Sequence, residues 1–142
     1  MLYRKFATHL EQFLNNEPNK ILLVNGARQI GKSFIIRNVG TRLFKNFVEI
    51  NLKADKEGAG IFATVRSKDD FYLQLGALAG NKLGDRADTL VFLDEIQSYP
   101  HLMTMLKFLN EEGRYRYIAS GSELGVALAQ TPSVPIGSIA IE

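Results

Sequence analysis

The first sixteen positions carry apolar residues at Leu2, Phe6, Leu10, Phe13 and Leu14, three and four apart, a spacing that predicts an amphipathic helix over 2–16. Asn15, Asn16 and Pro18 end it. Lys20 to Asn25 is a short apolar run without alternation, as expected of a strand buried on both faces of a parallel sheet. After a turn over 26–31, Phe34, Ile35, Ile36, Val39 and Leu43 predict a second helix over 32–44. Phe47 to Leu52 reads as a second strand, and 53–66 is polar and glycine-containing, with one apolar patch at Ile61-Phe62. Ser67 and Asp70 have the spacing of a capping box for a helix running to about Ala79. A polar loop over 80–88 leads to a third strand, Thr89 to Glu95. Pro100 opens a helix carrying Leu102, Met105, Leu106 and Leu109, and Gly113 stops it. Tyr115 to Ala119 reads as a fourth strand, 122–130 as a short helix, and the segment from Ile136 as a fifth strand. Strands alternating with helices predict an α/β fold of three layers, a five-stranded parallel sheet with helices on both faces.

The chain has 142 residues, one domain's worth, enough to bury about 68–70% of its unfolded surface without a metal or disulfide. Its 46% hydrophobic and 23% charged residues are ordinary for a globular protein. It has no cysteine, which removes disulfides, thiolate metal sites and cysteine nucleophiles, and fits a reducing, cytoplasmic setting. A net charge of +2 does not argue for nucleic acid or a membrane surface. The N-terminus lacks the apolar run of a signal peptide, and the longest apolar runs, of about four residues, fall far short of a membrane span. No membrane partner is expected, and nucleic acid stays open.

The chemistry is concentrated in two turns. Gly26-Ala-Arg-Gln-Ile-Gly-Lys-Ser33 matches G-x-x-x-x-G-K-[ST], set between an apolar strand and an amphipathic helix. The glycines let successive N–H groups point inward at phosphate oxygens, and the helix adds the positive end of its dipole. Gly26, Ala27, Arg28, Gln29, Ile30, Gly31, Lys32, Ser33 and Phe34 are the nucleotide-binding candidates. Lys32 would reach the β- and γ-phosphates, and Ser33 would ligate Mg²⁺. Leu90 to Glu95 ends a strand in two carboxylates: Asp94 is the candidate for the metal, and Glu95 for the general base on an attacking water. A polar residue ending the fourth strand would complete the site; Ser120 is favoured, with Ser122 close behind or serving as a helix N-cap.

These segments, together with Phe47-Val-Glu-Ile-Asn51-Leu, Phe92-Leu-Asp-Glu-Ile-Gln97 and Ala119-Ser-Gly-Ser122, resemble the prokaryotic AAA-type ATPases that carry a C-terminal domain of unknown function. The resemblance covers essentially the whole chain. It implies ATP or ADP rather than GTP, Mg²⁺, and a sheet ordered 5-1-4-3-2, with Lys32, Ser33, Asp94, Glu95 and Ser120 in the roles argued above. It also implies that residues 1–142 form one nucleotide-binding core of a longer protein, with a lid and partner domain beyond it. Such ATPases use an arginine finger after the fourth strand, yet residues 117–142 contain no Lys or Arg. The expectation is therefore slow or undetectable turnover for this chain alone.

The function expected is an ATP-binding, Mg²⁺-dependent ATPase core whose nucleotide binding or slow hydrolysis switches a partner or a missing domain, with a partner protein or a homo-oligomer as the expected partners. The alternatives are a non-catalytic nucleotide-binding remnant and, less favoured, a small-molecule or nucleoside kinase. Against a kinase stands the Asp94-Glu95 pair, since phosphate transfer to a bound acceptor needs no activated water. A GTPase lacks support because no Asn-Lys-x-Asp segment occurs. His9 and His101 have no clustered ligands and read as surface residues, and Arg114-Tyr115-Arg116 reads as a solvated strand edge. Tyr3, Arg4 and Phe6 are, by the resemblance, candidate walls for the base.

Overall fold

The computed structural model describes residues 2–26, 31–122 and 136–141. Helix α1 (Leu2–Asn16) precedes strand β1 (Ile21–Gly26), and α2 (Lys32–Leu43) leads to β2 (Asn46–Asn51). Helices α3 (Leu52–Glu57) and α4 (Lys68–Ala79) follow, then β3 (Thr89–Asp94), α5 (Pro100–Glu112), β4 (Arg116–Gly121) and β5 (Ile136–Ile141). All the pairings are parallel, and the sheet runs β2-β3-β4-β1-β5. Parallel neighbours need crossover connections, and the helices between the strands supply them. The order 1-4-3-2 of the first four strands is the one the resemblance implies, and β5 lies along β1 from Ile21↔Ile136 to Gly26↔Ile141.

Successive residues of the central strands enter opposite cores. Leu22, Val24, Leu90, Phe92 and Ile118 pack with Phe6, Leu10 and Leu14 of α1 and Ile36 and Val39 of α2. Ile21, Leu23, Val91, Leu93, Tyr117 and Ala119 pack with Phe71 and Leu75 of α4 and Leu102 and Leu106 of α5. Both faces are covered, which is why β1 and β3 read as unbroken apolar runs. Helix α2 sits close enough to the sheet that a Cβ on Gly40 would meet the Phe47 ring at 2.5 Å. Ser67 caps α4 by accepting the Asp70 N–H at 3.1 Å. Gly113 ends α5 in the left-handed region, φ 71°. The helix expected over 122–130 lies outside the described residues from position 123 on.

Two expectations are corrected. The second strand ends at Asn51 rather than Leu52, and Leu52 to Glu57, where the sequence predicts no element, is helical, with Asn51 Oδ1 accepting the Ala54 N–H at 3.0 Å. A six-residue helix burying only Leu52 is too short to show a period. The turn after it is folded around Asp55, whose carboxylate accepts the N–H groups of Ile61 and Phe62 at 3.0 Å each and the Tyr99 hydroxyl at 2.8 Å.

The second correction concerns Arg114-Tyr115-Arg116, which is not a solvated edge. β4 lies between β1 and β3, so Tyr115 and Arg116 are buried, Arg116 to 6% exposure. Its guanidinium donates to the carbonyls of Leu14 and Glu17 at 3.2 and 3.3 Å, at the negative end of α1. Arg86 donates to the Pro18 carbonyl at 2.7 Å, and Asn110 to that of Asn19 at 3.0 Å. Burial first, and the nearby Arg86 charge second, draw the Arg116 pKa down to about 10, so it stays charged at neutral pH. Arg114 lies 4.0 Å over the Tyr72 ring.

Candidate functional site

The carboxyl ends of β1, β3 and β4 meet at one edge of the sheet, where open parallel sheets place their ligands. Val24 pairs with Ser120 and Asn25 with Gly121, while Leu93 pairs with Ala119, so Asp94 ends β3 at the level of Ser120. Gly31 stands just before α2 with φ 96° and ψ −11°, a left-handed conformation that glycine adopts without steric cost. No side chain caps this helix, and its first intrahelical bond runs from the Ile35 N–H to the Gly31 carbonyl at 2.8 Å. The N–H groups of Lys32, Ser33 and Phe34 therefore lie ahead of the ladder and face outward with the positive end of the helix. Lys32 is 5% exposed, and its Nζ has no hydrogen-bond partner among the described residues. A buried ammonium without an acceptor is costly, and an anion placed here would offset that cost.

Across from it, Asp94 gathers three donors. Ser33 Oγ donates to Oδ2 at 2.9 Å, Ser120 Oγ to Oδ1 at 2.6 Å, and the Glu95 N–H to Oδ1 at 2.9 Å. Charge-assisted bonds of this kind are short and fix the carboxylate. Glu95 is the one non-glycine residue with positive φ among the described residues, at 58°. That conformation costs roughly 1–2 kcal/mol and turns the chain sharply out of β3 into a single 3₁₀ turn, Ile96–Ser98. Gln97 on that turn donates its Nε2–H to Glu95 Oε2 at 2.8 Å. Beside the pair lies an open cleft of about 340 Å³, lined by Asn51, Lys53, Ala54, Glu57, Asp94 and Glu95.

Of the residues singled out from the sequence, Lys32, Ser33, Asp94, Glu95 and Ser120 come together. Gly26 ends β1 and Gly31 opens α2, while Ala27, Arg28, Gln29 and Ile30 lie outside the described residues. Phe34 turns its ring to solvent at 55% exposure, so only its backbone faces the helix end. Ser122 is half-buried just past β4. Phe6 is not a wall for the base, because the period that made α1 amphipathic puts it in the core with Leu10 and Leu14. Arg4 and His9 are exposed, and the Tyr3 side chain is outside the description. His101 is no metal ligand: its Nε2 lies 3.0 Å from the Phe62 carbonyl.

Among the described residues no group of three or more His, Asp or Glu could hold a metal. A divalent cation here would thus take Ser33 and Asp94 together with phosphate oxygens, as Mg²⁺ commonly does. The sequence reading missed that α3 lines the cleft, and it gave Gln97 no role. The signals for Gln97 were its position two residues beyond Glu95 and its place in the Phe92–Gln97 segment that carries the resemblance.

A parallel α/β sheet with a glycine-opened helix and paired carboxylates at its carboxyl edge is the frame of an AAA-type, nucleotide-binding ATPase core. The chain belongs to the AAA domain family, whose pattern matches residues 18–141. Among solved structures it is similar to Hsp104, reconstructed in a closed state with ATPγS and FITC-casein: 15% identity, TM-score 0.63, over 98% of this chain and 26% of that one. It also matches C. elegans PCH-2 at 15% identity and TM-score 0.49, over 98% of this chain and 39% of that one. This chain thus spans well under half the length of either protein. No curated protein matches it in sequence. Among the described residues no helix is long and apolar enough to cross a membrane.

Proposed function

We propose that the chain binds ATP with Mg²⁺, hydrolyses it slowly, and uses the change to switch a partner protein or a second copy of itself in a cytoplasmic setting. The observation that carries this reading is the Lys32 ammonium, buried without a described partner beside Gly31 and the uncapped start of α2. Lys32 and the first N–H groups of α2 would hold the phosphates, with Ser33 and Asp94 on the cation. When bound, the cation would neutralise charge on the phosphate oxygens. Glu95 would accept a proton from water, and Ser120 would hold Asp94 in place. ATP is preferred over GTP on the resemblance and on the missing Asn-Lys-x-Asp segment, and the Hsp104 structure with ATPγS supports that choice.

A second reading, a nucleotide-binding remnant without catalysis, is favoured by one observation: residues 117–142 hold no Lys or Arg to serve as a finger. A finger is worth about 10³–10⁵ in rate. Isothermal titration with ATP, ADP and GTP, with Lys32→Ala as control, tests the nucleotide binding that both readings require. Binding of ATP and ADP, lost in Lys32→Ala, is expected; no binding of either would overturn the proposal. Single-turnover hydrolysis that is slow, yet cut a further tenfold or more to a measurable residual rate by Glu95→Gln, supports the enzyme, while none in the wild type leaves the remnant.

A further inference from the structure

The turn that follows Glu95 is held more firmly than a linker needs to be. Ile96 and Tyr99 are buried, the Tyr99 hydroxyl is tied to Asp55, and the Ser98 and Tyr99 N–H groups close the turn onto Glu95 and Ile96 at 3.0 Å each. Between these anchors Gln97 turns back toward Glu95, its Nε2 2.8 Å from Oε2. The amide can sit only one way round. A carboxylate accepts and never donates, so the NH₂ must face Glu95; a flip would set two oxygens against each other. The cost of this orientation is visible on the other side of the amide, where Gln97 Oε1 is buried with no hydrogen-bond partner among the described residues. An unmet carbonyl is tolerated where the opposite bond is charge-assisted.

We infer that Gln97 is a positioning residue for Glu95: its amide bonds one carboxylate oxygen and holds the group in its orientation. Glu95 has three side-chain torsions, and φ 58° fixes only the direction in which they begin. The cleft beside Asp94 is lined by Glu95 and not by Gln97, so Gln97 acts through Glu95. This inference rests on the ATPase reading for its kinetic consequence, but the contact itself can be judged apart from it.

Gln97→Met keeps the length of the side chain and removes the donor. In single-turnover hydrolysis it is expected to slow the reaction ten- to hundredfold, with the Kd for ATP changed less than twofold. In a Glu95→Gln background the same change is expected to add nothing, because residues acting as one unit are not additive. Gln97→Asn, one methylene shorter but still an amide, should recover part of the rate. In the ¹⁵N-labelled protein the Gln97 side-chain amide should show one proton shifted by the carboxylate and a return to the ordinary position in Glu95→Ala. An unchanged rate in Gln97→Met, or a loss that persists fully beside Glu95→Gln, overturns the inference. If the protein binds no ATP, the ATPase reading fails on its own, and the amide signal still decides whether Gln97 holds Glu95; an unshifted signal refutes it.

Discussion

Single side chains here spend stability where the site requires it. Lys32 keeps a charge out of water without a described acceptor, and Glu95 keeps a backbone conformation that glycine would hold more cheaply. Lys32→Met, which fills the same space without the charge, is expected to fold with a melting temperature equal to or a few degrees above the wild type while losing ATP binding. Differential scanning calorimetry with and without nucleotide checks both halves, and a drop of more than about 5 °C would show that Lys32 is structural. The motif Gly26 to Ser33 was legible because its chemistry demands particular residues at particular intervals. The Gln97 contact was not, since a glutamine two places past a strand looks like any solvated turn residue until the turn's shape is known.

At the level of elements, long periodic segments declared themselves: α1, α2, α4 and α5, and the buried runs of β1 and β3. Short, polar ones did not. Helix α3 is set by an Asn51 cap and one buried leucine, and the segment after it by the Asp55 carboxylate, which also reaches the distant Tyr99. Arg116 misled for a related reason. Its charge suggests solvent, whereas the strand order places it in the middle of the sheet with helix carbonyls in reach. The Tyr99–Asp55 bond offers a test at this scale. Burial first, and the Asp55 carboxylate second, push the Tyr99 pKa from its ordinary 10.0 up to about 12. A raised folded pKa adds stability that is complete below pH 10 and is lost as pH rises through 12. Tyr99→Phe should therefore be less stable than wild type by about 1.5 kcal/mol at pH 8. Urea midpoints should converge as the pH passes from 10 to 12; a gap that stays constant over that range would refute the assignment.

For the molecule as a whole, the family's matched stretch begins at residue 18, yet α1 is integral to the fold. Phe6, Leu10 and Leu14 close one core, and the carbonyls of Leu14 and Glu17 receive Arg116. A protein starting at residue 18 would uncover Leu22, Val24 and Ile118 and strip a buried cation of its acceptors. Expression of 18–142 is expected to yield aggregated or molten material, read by gel filtration and near-ultraviolet circular dichroism, and a monodisperse, cooperatively melting product would contradict this.

The sheet order also bears on how the protein is made. β1 lies inside the sheet between β4 and β5, but its neighbour β4 is encoded far downstream, Leu22 pairing with Ile118. On a ribosome adding about 5–20 residues per second, Ile21 to Val24 would wait roughly 5–20 s for that partner to emerge. During that interval a nearly continuous aliphatic strand has only α1 and α2 to shield one of its faces. The nascent chain is thus most exposed to chaperones, and to its own copies on the same message, through a strand that ends with Ile21 to Val24 fully buried.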